Sequence, residues 1–278
     1  MRFGIDLVNF GAFRDPRAVM KVARVAEEAG WDGLFLWDHL SFAWGPSSGD
    51  PWISLSAAAT CTERLLLGTT ITPVARRRPH VLAQTLATLD LLAPGRVLLG
   101  AGLGGVEREF TAFGEEAGAR LRAAKLDEGL EAISALLSGG PVTRRGEHVT
   151  VDGVTLVDEA DAPRSRIPIW IGGESPAALR RAARWDGWVA TGTALDGSVR
   201  MTIGPQEFAE KLGALREARD PTLPPAEAAL LAYSEPGEVT LVRSYEAAGV
   251  DWWLEVIQER RGSVDQLLER VGAGPTTD

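Results

Sequence analysis

Short apolar runs alternate with longer segments whose apolar positions recur every three or four residues, and the alternation continues to the end of the chain. Residues 3–8 read as a strand; Asp15-Pro16 then opens an amphipathic helix to Ala29, with Asp15 as N-cap, Pro16 in the first turn and Gly30 closing it. Residues 32–37 are the second strand, and a long loop rich in Gly, Ser, Pro and Trp leads to a helix over 51–63. The third strand, 65–73, passes through the basic loop Arg76-Arg77-Arg78-Pro79 into a helix containing Thr88-Leu89-Asp90. After the turn Pro94-Gly95-Arg96, the fourth strand, 97–100, runs into Gly102, Gly104 and Gly105. Strand, helix and strand in that order form a right-handed crossover. Its two strand ends share a rim, where small residues let a ligand approach the backbone.

A helix over about 120–137 follows, and residues 143–151 alternate like a surface hairpin strand, so the region of about 106–165 reads as an insertion. Strands are then predicted at 167–171, 187–191, 228–233 and 251–256, with helices over 175–185, 205–219, 237–248 and 264–271. Eight strands and eight helices in one domain over 1–278 predict an α/β fold, the (β/α)8 TIM barrel with an insertion after the fourth strand. An open doubly wound sheet is the alternative.

Composition narrows the function classes. The chain has 278 residues, 45% of them hydrophobic, enough for a core of barrel size. A net charge of -9 disfavours nucleic acid and anionic membrane as partners, because phosphate binding needs a basic footprint, and leaves a small molecule as the better fit. A single cysteine, Cys61, forbids an internal disulfide. No secretory-type apolar segment opens the chain and no apolar run reaches bilayer length, so a cytoplasmic location is expected.

Several motifs can be set aside. Gly100-Ala101-Gly102-Leu103-Gly104-Gly105 satisfies G-x-G-x-x-G, but it follows a fourth strand, and about twenty residues on the chain has Arg120 and Arg122 where a dinucleotide fold needs an acid. There is no G-x-S-x-G elbow, and His39, His80 and His148 lack metal-ligand spacing. Two sites keep physical content. Ile171-Gly172-Gly173-Glu174-Ser175-Pro176 runs a strand through two glycines into a helix start, which suits either a phosphate or a tight turn. Trp37-Asp38-His39 puts an acid and an imidazole at a strand end, as proton-transfer groups or as loop-capping ones.

Taken in order, a set of segments resembles the luciferase-like superfamily of FMN- or F420-dependent oxidoreductases. They are Phe3-Gly4, Ala29-Gly30-Trp31-Asp32-Gly33, Trp37-Asp38-His39, Leu67-Gly68-Thr69, Arg78-Pro79, Thr88-Leu89-Asp90, Gly95-Arg96-Val97-Leu98-Leu99-Gly100, Asp127-Glu128-Gly129-Leu130, Ile169-Trp170-Ile171-Gly172-Gly173 and Asp186-Gly187-Trp188. The resemblance implies a flavin-like ring in the C-terminal mouth of the barrel. It places a non-prolyl cis peptide at Thr70-Ile71 behind that ring, Gly102 and Gly104 at its border, and Gly172 and Gly173 on the cofactor phosphate. His39, beside Asp38, becomes the proton-transfer residue. Asn9, Phe10, Phe13, Phe42 and Trp44 fall in the loops that would wall a partly apolar substrate pocket.

One departure bears on the reaction. Family members that oxidise sugar phosphates with F420 carry a glutamate shortly after the fourth-strand glycines, where this chain has Gly105, with Glu107 and Glu109 further on, which counts against that dehydrogenation. The resemblance therefore implies first an FMN-type monooxygenase, supplied by a flavin reductase or NAD(P)H. An F420-dependent reductase or dehydrogenase is the alternative and a cofactor-free binding homologue the second. Arg76, Arg77 and Arg78 read as a solvated loop, or else as a handle for an acidic cofactor tail. The family's habit implies a homodimer.

Overall fold

The computed structural model describes residues 1–40, 47–160, 162–163, 166–193 and 198–277. Its parallel strands are β1 (Arg2–Leu7), β2 (Gly33–Leu36), β3 (Leu66–Thr69), β4 (Thr72–Pro73), β5 (Val97–Gly102), β8 (Ile169–Gly172), β9 (Gly187–Ala190), β10 (Glu227–Ala232) and β11 (Trp252–Ile257). β4 continues the line of β3, and β3 pairs with β5, so the sheet closes into an eight-stranded barrel. Around it run α1 (Pro16–Glu28), α2 (Pro51–Ala59), α3 (Pro79–Leu92), α5 (Ala119–Leu137), α6 (Pro176–Ala182), α7 (Pro205–Ala218), α8 (Val239–Ala247) and α9 (Val264–Gly272). A one-turn helix α4 (Arg108–Thr111) precedes α5, and the antiparallel hairpin β6 (Pro141–Arg145) and β7 (Thr150–Thr155) follows it.

Local chemistry explains most boundaries. Asp15 and Asp50 each cap a helix that begins with proline, accepting from Arg17 N and from Trp52 N and Ile53 N. Ser175 does the same for Ala178 N, and Ser263 forms a reciprocal capping box with Gln266. An aspartate ahead of a strand repeatedly ties it to its neighbour: Asp32 accepts from Phe3 N, Asp186 from Ile169 N and Asp251 from Ala228 N. α2 stops at Ala59, before the expected 63, because the Glu27 carboxylate takes the amides of Glu63, Arg64 and Leu65 and draws the chain toward β3. The third strand, expected to run unbroken over 65–73, is interrupted at Thr70-Ile71, whose peptide is cis.

Two apolar cores result from the alternation of side chains along each strand. One lies between barrel and helices, and includes Ile5, Leu34, Leu67, Leu99, Ile171 and Trp188. The other fills the lumen toward the N-terminal strand ends. There Phe35 stacks on Trp170 at 5.7 Å between centroids, and Trp252 meets both rings edge-on at 5.8 and 5.6 Å. Gly187 is required beside them, since a Cβ would come within 2.3 Å of Trp170 Cδ1. With that end packed, the opposite end of the lumen is left for chemistry.

Candidate active site

Beyond β2, the chain carries Asp38 and His39 onto the rim. Both oxygens of Glu109 lie 3.0 Å from His39 Nδ1, and Glu109 also accepts from Leu40 N at 2.6 Å. A carboxylate can only accept, so Nδ1 carries the hydrogen, and in the neutral form of the ring the lone pair is on Nε2. Among the described residues Nε2 has no partner, and the His39 side chain is 20% exposed. Burial pushes Glu109 up, but the hydrogen bond of His39, the charge of that ring when it is protonated, the Leu40 amide and Arg76 outweigh it and hold the carboxyl below its ordinary value.

Glu109 is delivered by α4, which Phe110 anchors in the core while Arg122 of α5 reaches back to Leu103 O and Gly104 O and lies 5.0 Å over the Phe110 ring. Arg76 joins the parts: it pairs with Glu109 and with Asp38, whose side chain is 1% exposed. Arg77 adds Nε and Nη2 bonds to Asp38 at 2.7 and 2.9 Å. Four charges so packed are a rigid frame, because removing one partner of a buried pair costs about 3–5 kcal/mol.

A second polar cluster lies deeper in the lumen. Asp6, on the inward face of β1, is fully buried; Trp37 Nε1 donates to its Oδ2 at 2.7 Å and Thr70 Oγ1 bonds its Oδ1. Tyr233 and Gln258 are hydrogen-bonded to each other, and Gln258 Oε1 is buried with no partner among the described residues.

These positions correct several expectations. Asp38 does not serve His39; two arginines hold it, and the acid on His39 is Glu109. The Arg76-Arg77 segment is neither a solvated loop nor a free anion handle, because both guanidinia are committed to Asp38, Glu109 and Asp50. At Gly102 a Cβ would fall 1.9 Å from Ile71 Cδ1, and one on Gly172 would fall 2.8 Å from Ile71 Cγ2, so both glycines make room for Ile71. Gly104 has φ +80 and turns against Pro73 and Phe110. Gly173 donates its amide to Val189 O, which commits the one group it could offer a phosphate, and its carbonyl accepts from Trp188 Nε1.

Asn9 spends its side chain on the backbone. It is fully buried, accepting from Trp37 N and donating to Gly49 O, which ties β1 to β2 and to the start of α2. Phe10 is buried edge-on against the rings of Trp37 and His39, and Phe13 belongs to the outer core. Phe42 and Trp44 lie outside the described residues. Sequence reasoning noted Glu109 only as lying past the expected position and did not give it to His39, and it missed Asp6. Asp6 left a signal, since a charge inside an apolar parallel strand has no solvent face to occupy.

A cavity of about 400 Å³ lies apart from this network, between the loop after β10 and α9. Arg261 and Arg270 line it, but both pair with Glu255, and Glu235 and Glu269 complete its wall. It offers no net positive charge. Among the described residues there is no cluster of potential metal ligands, and no helix long and apolar enough to cross a membrane.

Comparison with known proteins adds context to this geometry. The profile of a family described as luciferase-like monooxygenase matches residues 1–229. An F420-dependent glucose-6-phosphate dehydrogenase from Microbacterium testaceum is 38% identical over 200 residues, covering 69% of this chain and 56% of that protein. An F420-dependent hydroxymycolic acid dehydrogenase from Mycobacterium tuberculosis is 33% identical over 215 residues, 76% of this chain and 57% of its own length. The chain thus spans about half the length of these curated relatives. The structure of an F420-dependent secondary alcohol dehydrogenase, in complex with an F420-acetone adduct, shares the fold at a TM-score of 0.78 and 19% identity, over 100% of this chain and 99% of that one.

Proposed function

The chain belongs to the luciferase-like monooxygenase family, and we propose that it is an F420-dependent oxidoreductase interconverting a hydroxyl and a carbonyl group on a small organic substrate. The observation that carries the reading is His39, held at Nδ1 by an ionised Glu109 and open at Nε2. Names of the relatives above support F420, so the expectation of FMN first gives way to its alternative. The objection from Gly105 loses its force as well, because Glu109 supplies a carboxylate to the histidine from four residues further along.

The described residues fit a flat coenzyme. Ile71 is a partly exposed apolar side chain backed by Gly102 and Gly172, Thr70 places a hydroxyl beside it, and Gln258 Oε1 is a buried acceptor awaiting a donor. Thr70 and Ile71 would support the ring. When bound, F420 supplies a carbon that accepts or returns a hydride.

The protein's part is the proton. His39 Nε2 takes it from a substrate hydroxyl in the oxidative direction and returns it in the reductive one. The charge that then forms on the imidazole is met by Glu109, itself fixed by Arg76. Phe10 and Trp37 pack on the imidazole ring and hold its orientation. Because Arg76 and Arg77 are committed to ion pairs, the reading favours an uncharged alcohol over a sugar phosphate.

Titration of the purified protein with F420 and with FMN, followed by fluorescence quenching, tests the coenzyme. F420-dependent oxidation of secondary alcohols, followed by loss of F420 absorbance, tests the reaction. Binding of FMN alone with dioxygen-dependent turnover overturns the proposal in favour of a monooxygenase. Binding of neither leaves the cofactor-free reading.

A further inference from the structure

Asp6 takes no part in the proton path through His39, yet it is a fully buried carboxyl below the mouth, and no cation forms an ion pair with it among the described residues. Its two oxygens have different neighbours. Oδ2 receives the indole N–H of Trp37, a group that can only donate, so Oδ2 is an acceptor whatever the protonation state. A carbonyl oxygen accepts better than an acid hydroxyl, and Thr70 can accept a hydrogen where the indole cannot, so a proton on Asp6 is favoured on Oδ1, against the Thr70 hydroxyl. When Asp6 is ionised, Thr70 must donate its hydrogen downward into the carboxylate. When Asp6 is protonated, Oδ1–H donates to Thr70 Oγ1, and the Thr70 hydrogen turns to another acceptor.

We infer that Asp6 is a proton-binding positioning residue that decides, through Thr70, whether the mouth offers a hydrogen-bond donor or a buried negative charge to the coenzyme ring. The inference rests on the reading that Thr70 and Ile71 support that ring. Ring carbonyl oxygens accept hydrogen bonds, so the protonated state of Asp6 favours the ring and the ionised state opposes it, and the ring takes up a proton as it binds.

The surroundings are consistent with a carboxyl that titrates in the working range. Burial pushes Asp6 up to about 7, although its bonds to Thr70 and Trp37 pull the other way. Tyr233 is the titratable group facing it across the lumen; burial and then the charge of Asp6 push the phenol up to about 12, so it stays neutral. Arg261 lies 5.2 Å from the centre of the Tyr233 ring but is paired with Glu255, and His39 lies 5.7 Å from the Trp37 ring, paired with Glu109.

The test is the F420 dissociation constant from about pH 5.5 to about 8.5 for the wild type, Asp6→Asn, Thr70→Val and Thr70→Ser. The Asp6→Asn substitution places a carbonyl on Trp37 and an amide N–H on Thr70, which fixes the protonated arrangement. The ratio of wild-type to Asp6→Asn constants cancels the ionisation of F420 itself. It is expected to rise from about one at the acid end toward as much as about tenfold per pH unit above 7, the limit for one linked proton. Thr70→Val should bind weakly with no such dependence, and Thr70→Ser should restore both strength and slope. In the protein without coenzyme, the infrared carboxyl band lost in Asp6→Asn should titrate near neutrality.

A flat ratio with F420 bound overturns the coupling and leaves the proposed function standing. Absence of the carboxyl band overturns the assignment to Asp6 alone. A titrating band without F420 binding overturns the coenzyme reading and the coupling with it.

Discussion

At the N-terminal end of the barrel lumen, Phe35, Trp170 and Trp252 pack ring on ring. At the other end, Asp6, Thr70, Tyr233 and Gln258 line the same lumen and His39 sits on its rim. The change occurs within single strands and their extensions. Phe35, Trp37 and His39 follow one another at steps of two along β2 and its exit, as do Gly4, Asp6 and Val8 along β1 and its exit. An inward-facing position is therefore apolar or polar according to its height. The lower end is dry and contributes packing, whereas the upper end holds groups that are paired with one another or left for a ligand. Stability and chemistry should separate along the barrel axis.

His39→Ala tests the upper end most severely. Loss of a general acid-base group lowers kcat/KM by about 10²–10⁴-fold, while the cost in folding stability should stay near about 1–3 kcal/mol, that of one hydrogen bond to a charged group, because Glu109 keeps Arg76 and the Leu40 amide. Steady-state assays with F420 and urea denaturation of the same preparation give both numbers. Normal turnover would remove His39 from the mechanism.

Trp170→Ala is the counterpart below. Trp170 is fully buried and its Nε1 has no partner among the described residues, so nearly all it contributes is packing. Truncation should cost about 3–5 kcal/mol in urea denaturation, with kcat per folded molecule nearly unchanged. A selective loss of kcat would show that the lower end shapes the chemistry after all.

The carboxyls of the upper end sharpen the contrast through pH. Glu109 lies below its ordinary value, so its stabilisation is present above the unfolded value and is lost as pH falls through the folded one. Asp6 is raised to about 7, so its contribution is complete at acid pH and is lost as pH rises through about 7. Asp6→Asn should therefore gain stability relative to the wild type between about pH 5 and pH 9, by on the order of 2–4 kcal/mol at about 1.4 kcal/mol per pKa unit. Glu109→Gln should flatten the acid limb instead. Parallel denaturation series at fixed ionic strength check both signs.

How much of this was legible depends on the distance over which each feature is encoded. Helix starts such as Asp15-Pro16 and Ser175-Pro176 are written in adjacent residues, and the strand–helix alternation in local periodicity, so the barrel followed from the sequence. The break in the third strand is not written in that pattern; 65–73 is uniformly strand-like, and only the family resemblance located it. In the site, position was readable and partnership was not. Asp38 and His39 do stand at the strand end, but their partners lie 38 and 70 residues away at Arg76 and Glu109, beyond any local rule. The arginine run misled for the same reason, since a charge cluster looks solvated until the acids that bury it are known.

The smallest effect belongs to the lower rim. Arg2 lies 4.3 Å over the Trp252 ring and pairs with Glu227, an arrangement that superficially matches Arg76 with Glu109 at the other end. Exposure separates the two: the side chains of Arg2 and Glu227 are 50% and 37% exposed, whereas those of Arg76 and Glu109 are 7% and 1%. Water and salt screen the lower pair, and the guanidinium returns to solvent easily when its partner is lost. Arg2→Ala should then cost about 0.2–1 kcal/mol, decreasing with added salt, and leave kcat and F420 affinity unaltered. A cost approaching that of Trp170→Ala would mean that the aromatic packing depends on this surface pair to stay dry, and the division of the lumen into a packed end and a charged end would have to be redrawn.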